Sequence, residues 1–65
     1  MDERKLAGES MKVGDLVRFY NLYNEWEFGV IIGKYREYPS GVAWRIRDAQ
    51  GLNTVYMESG LRLVA

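Results

Sequence analysis

Sixty-five residues make one domain, and folding a chain this short buries only about 60% of the surface that its unfolded form exposes, so the core has little margin. It contains neither cysteine nor histidine, which removes disulfides, the usual zinc sites, thiol nucleophiles and the commonest general acid and base; any catalysis would rest on carboxylate, lysine or tyrosine. Nine basic residues offset nine acidic ones, so no net field steers the chain to nucleic acid or an anionic membrane. There is no apolar run near the roughly 20 residues of a membrane span, and residues 1–10 lack the hydrophobic segment of a signal peptide, so none is expected. These bounds predict a cytoplasmic, non-catalytic binding module with no cofactor and no metal.

Residues 1–10 place Asp2, Glu3, Arg4, Lys5 and Glu9 around a single Leu6 and offer almost nothing to bury, which predicts a disordered or frayed tail. A helix over residues 2–7 would be marginal alone. Gly8 and Glu9 can be encoded by a purine-rich stretch of ribosome-binding type one codon before Met11. The expectation is therefore that translation naturally starts at Met11 and that residues 11–65 fold by themselves.

From Met11 the pattern becomes strand-like, with Val13, Val17 and Phe19 on alternate positions, Lys12 and Arg18 turned outward, and a turn at Gly14-Asp15. Residues 21–25 form a polar loop with two asparagines, a residue type that tolerates unusual backbone angles. The longest strand-forming run is residues 26–38, WEFGVIIGKYREY, interrupted by Gly29 and Gly33. Strict alternation would put Phe28, Val30 and Ile32 on one face with Lys34 and Arg36. A bulge or bend at Gly33 resolves the conflict, turning Val30 and Ile32 inward before it and Tyr35 inward after it. Tyr38-Pro39-Ser40-Gly41 has the proline and glycine positions of a type I turn.

Val42, Trp44 and Ile46 then alternate with Ala43, Arg45 and Arg47, which reads as a half-buried strand with a basic outer face. Asp48-Ala49-Gln50-Gly51 is a hairpin turn. A fourth strand follows at residues 52–57, with Val55 and Met57 inward and Thr54 and Tyr56 outward. Glu58-Ser59-Gly60 predicts one 3₁₀ turn, and residues 61–64 predict a short fifth strand beside the first. Short strands separated by regular turn signals, without helical periodicity, indicate an all-β fold, a small five-stranded barrel.

Four segments carry a resemblance: Val13-Gly14-Asp15-Leu16-Val17, Gly29-Val30-Ile31-Ile32, Trp44-Arg45-Ile46, and Glu58-Ser59-Gly60-Leu61-Arg62-Leu63-Val64. In that order they resemble the small SH3-like barrel proteins of tailed bacteriophages and related bacterial domains, over about residues 11–65. The resemblance implies an SH3-like barrel and a viral origin. The tyrosine-rich opening of eukaryotic SH3 domains and the glycine and basic signature of KOW motifs are both missing. Function varies within one fold, so the resemblance carries none over.

Two Trp, five Tyr and two Phe are more large rings than so small a core can hide. Tyr20, Tyr23, Trp26 and Tyr38, near Glu25, Glu27 and Glu37, are the candidate protein-binding surface, a groove or cage for a cation, a methylated lysine or an extended peptide. As plain structure the same rings would be lids over a thin core. The alternative function is nucleic-acid binding through Lys34, Arg36, Arg45 and Arg47 on two neighbouring strands; as plain structure these would be a solvated sheet face. Edge pairing between copies through exposed Leu16, Leu22, Ile31 or Tyr56 is a third reading. The pair Glu25 and Glu27 is a weak basis for hydrolysis. The leading expectation is a module that binds another protein through the 21–25 loop and the Tyr38 turn.

Overall fold

The computed structural model describes residues 11–64; the expectations for residues 1–10 lie outside them. The strands are β1 (Leu16–Tyr20), β2 (Trp26–Tyr38), β3 (Gly41–Asp48), β4 (Asn53–Met57) and β5 (Arg62–Leu63), with a 3₁₀ turn at Glu58–Gly60. They form one antiparallel sheet in the order β4-β3-β2-β1-β5. The fold is thus all-β with five strands. The two end strands do not pair with each other, so the sheet is open. Among the described residues no helix is long and apolar enough to cross a membrane.

Turn chemistry sets the connections. Asp15 is buried, and its Oδ2 accepts the Lys12 N–H at 2.9 Å while Gly14 takes φ 95°. In the β1–β2 loop, Asn21 Oδ1 accepts the N–H groups of Tyr23 (2.8 Å) and Glu25 (3.1 Å), and Asn24 sits at φ 60°. At the β3–β4 hairpin Asp48 Oδ1 accepts from Gln50 and Leu52, both at 2.9 Å. Each loop is closed by an Asx side chain standing in for a backbone partner.

The core is Val17, Phe19, Ile31, Trp44, Ile46 and Leu61, with Met11, Val42, Tyr56 and Leu63 packed on it. Phe19 of β1 meets Tyr56 of β4 with ring centroids 4.5 Å apart, so the sheet curls until the inner faces of its first and fourth strands touch. The Trp44 indole N–H donates to Glu58 Oε1 at 2.9 Å, tying β3 to the 3₁₀ turn. As expected, β3 turns Trp44 and Ile46 inward, the 3₁₀ turn is present, and β5 pairs with β1.

The expected faces of β2 and β4 are reversed. Gly29 and Ile31 are buried, whereas Phe28, Val30, Ile32 and Tyr35 are exposed. A Cβ at Gly29 would lie 2.5 Å from Ile46 Cγ2 and 2.9 Å from the Arg47 carbonyl oxygen, so the tight packing of β2 on β3 and Phe19 takes the glycine face and leaves the bulkier one outside. Pairing with β3 skips Ile32 and again Tyr35. Two irregularities flanking Gly33 therefore bend the strand, rather than one at it. On β4, Thr54 and Tyr56 lie opposite Ile46 and Trp44 and are half-buried, the Tyr56 ring covering Phe19, whereas Val55 is exposed; Met57, opposite Ala43, is half-buried as well. Val13 precedes the strand and is exposed. Ile31, considered above for contact between copies, is fully buried.

Candidate functional site

Residues paired across a ladder share a side, so the register assigns each paired strand residue to one face. On the outer face lie Leu16, Arg18 and Tyr20 of β1, opposite Val30, Phe28 and Trp26 of β2. Farther along, Val30 is opposite Arg47, Gly33 opposite Arg45, and Arg36 opposite Ala43. The face continues to Asn53, Val55 and Met57 on β4 and to Arg62 on β5. The strand carboxylates all fall on the other side: Glu27 opposite Phe19, Asp48 opposite Gly29, and Glu37 opposite Val42. A chain of balanced charge therefore folds into a sheet whose outer face, among the described residues, carries Arg18, Arg36, Arg45, Arg47 and Arg62 and no strand carboxylate.

The arginines are laid over rings. The Arg18 guanidinium carbon is 4.7 Å from the Trp26 ring centroid, Arg45 is 5.7 Å from Tyr35, and Arg36 is 5.9 Å from Tyr38. Such stacking fixes the planar group while leaving its N–H edges free for an acceptor. Between the arginines run Leu16, Phe28, Val30 and Val55, each at least a third exposed. Tyr38, Ser40, Ala43, Val55 and Met57 line a shallow apolar hollow at the β4 end, which explains why Ala43 is buried although its register position faces out.

The aromatic candidates do not converge. Tyr20 and Trp26 stack with centroids 4.1 Å apart. Tyr38 stands at the opposite end of β2, and Tyr23 projects from the 21–25 loop with 82% of its surface exposed, over a hollow bordered by Glu25, Glu27 and Asp48. The basic candidates are divided as well. Arg36, Arg45 and Arg47 share the outer face, but Lys34 is opposite Trp44 on the other side and binds Glu37 at 2.6 Å. That hydrogen bond from Lys34, with its charge, holds the exposed Glu37 carboxyl below its ordinary pKa. Glu25 lies in the loop and Glu27 in β2, where Glu27 accepts from Asn21 Nδ2 at 3.2 Å.

Sequence reasoning missed Arg18, Phe28, Val30 and Arg62. The alternation of LVRFY did turn Arg18 outward; its neighbours depend on the register between strands. Among the described residues no group of three or more acidic side chains gathers where a metal ion could be held. No protein-family model, curated protein or solved structure matches this chain.

Proposed function

We propose that this protein is a non-catalytic module of SH3-like barrel type that binds an acidic protein segment on the outer face of its sheet. The observation that carries this reading is the composition of that face: aliphatic and aromatic side chains at the centre, arginines among them, and no carboxylate among the described strand residues. Arginine and large aromatics are the residues that most often anchor protein interfaces, and Leu16, Phe28, Val30 and Val55 leave apolar side chains exposed beside the arginines. The surface differs from the loop-centred one expected from sequence; the class of partner is the same. Support for the barrel comes from the strand order, the twice-irregular β2, the 3₁₀ turn before the last strand and the contact of Phe19 with Tyr56.

Two other occupants fit less well. Nucleic-acid surfaces are more polar and more densely charged, whereas Leu16, Phe28 and Val30 bring apolar bulk to the middle of this one. A second copy docked face to face would set arginines against arginines with no strand carboxylate of the described residues between them.

The test is an NMR titration of the labelled full chain with an acidic peptide of alternating leucine and glutamate, and separately with a mixed-sequence single-stranded oligonucleotide, at low and moderate salt. Peptide-induced shifts centred on Phe28, Val30, Arg45 and Arg47, abolished in R45E, are expected. Shifts produced by the oligonucleotide alone, collapsing as salt rises, would transfer the face to nucleic acid.

A further inference from the structure

At the edge where β5 joins β1 the sheet carries a second kind of site. β5 pairs with β1 at Val17 and Arg18, and among the described residues Phe19 and Tyr20 have no strand neighbour on that side. A concavity of about 480 Å³ opens there, lined by Arg18, Tyr20, Trp26, Tyr56, Gly60 and Arg62. Its volume is within the range of small-molecule sites.

Arg18 and Arg62 are directly opposite each other on paired strands and share a side, a like-charge arrangement that repels. Neither touches a carboxylate among the described residues. Both are nevertheless held: Arg62 Nη1 donates to the carbonyl oxygens of Ser59 (3.2 Å) and Leu61 (3.0 Å), and the Arg18 guanidinium lies over Trp26. Two braced guanidiniums with free donor edges match the oxygens of a phosphate, which would turn their repulsion into attraction.

The walls are aromatic. Tyr20 and Trp26 stack beside Arg18, and the Tyr56 hydroxyl reaches to 3.5 Å from the Tyr20 carbonyl oxygen across the uncovered edge. Gly60 has open space where a Cβ would stand, so the rim is unobstructed. Three other hollows among the described residues do not combine these features. The one by Tyr38 and Met57 is lined by no charged residue, that under Tyr23 has carboxylates and no cation, and that by Leu16 sets Arg47 beside Asp48.

We propose that this concavity binds a nucleoside monophosphate, its phosphate between Arg18 and Arg62 and its base against the rings of Tyr20, Trp26 and Tyr56. The site does not depend on a protein partner elsewhere on the face.

The experiment is calorimetric and NMR titration of the full chain with adenosine monophosphate, and with adenosine, inorganic phosphate and phosphotyrosine as comparisons. Saturable binding of the nucleotide is expected, with shifts at Arg18, Tyr20, Trp26 and Arg62 and at least tenfold weaker binding of each comparison compound. R18Q and R62Q should each weaken nucleotide binding at least tenfold with unchanged circular dichroism; R45E, which removes the peptide interaction, should leave it intact. Failure to saturate, equal affinity for phosphate alone, tighter binding of phosphotyrosine, or indifference to both arginine variants would overturn the assignment.

Discussion

Trp44 and Glu58 are joined by a hydrogen bond of 2.9 Å from the indole N–H to Oε1, and the same oxygen lies 3.3 Å from the Met11 backbone N–H. One carboxylate thus anchors the largest buried ring of β3, the 3₁₀ turn and the first described residue. Replacing it with alanine strands a buried donor, which costs about 1–3 kcal/mol. E58A is therefore expected to lower the urea midpoint markedly without changing the slope, whereas E58Q, which retains an acceptor oxygen, should lose visibly less. Equal midpoints for E58A and the parent chain would show that the bond contributes nothing.

The two glycines of β2 have opposite roles. A Cβ at Gly29 would collide with Ile46 Cγ2 and the Arg47 carbonyl, while one at Gly33 meets nothing within 4 Å and its backbone needs no left-handed angle. Overpacking of a tight core costs about 1–3 kcal/mol or more. G29A should therefore be strongly destabilised, and G33A should match or slightly exceed the parent in stability because it stiffens the unfolded chain. Thermal unfolding of the two variants side by side separates a packing glycine from one at a bend that any residue could make.

Adjacent residues at the centre of β2 provide the sharpest test of the face assignment. Ile31 is 0% exposed and Val30 is 40% exposed. Truncating a buried isoleucine costs about 2–5 kcal/mol, so I31A is expected to be unfolded or nearly so in a domain this small. V30A should stay within about 1 kcal/mol of the parent, since surface positions rarely contribute more. Denaturant melts showing the reverse order would restore the face that alternation alone predicts.

That reversal shows what the sequence made legible. The five strands and their turns could be read because Asp15, Asn21, Pro39, Asp48 and Gly51 punctuate alternating runs, and β3 could be assigned a face because its two sets of residues differ so sharply in polarity. On β2 both sets are apolar or glycine, and bulk favoured Phe28, Val30 and Ile32. The close approach of Ile46 and Phe19 to Gly29 decided otherwise, and that distance exists only after β2 packs on β3 and β1. The juxtaposition of Arg18 with Arg62 was hidden for the same reason, since it follows from pairing between the first and last strands. Charge showed a similar limit: the balance was readable, but the sorting of arginines to one face and carboxylates to the other required the register.

The ion pair of Lys34 with Glu37 makes a pH prediction of definite sign. Lys34 lowers the pKa of the Glu37 carboxyl in the folded chain, so the pair's contribution to stability is present above the unfolded-state pKa and is lost as pH falls through the lowered folded value. Both side chains are largely exposed, at 49% and 66%, so solvent and salt screen the interaction and its effect on the overall melt is small. The informative measurement is the side-chain carboxyl titration of Glu37 by NMR. At low ionic strength its midpoint should lie below that of an unperturbed glutamate, and K34A or high salt should move it back up. A midpoint that is already ordinary at low salt, and indifferent to K34A, would mean that the contact is not maintained in solution.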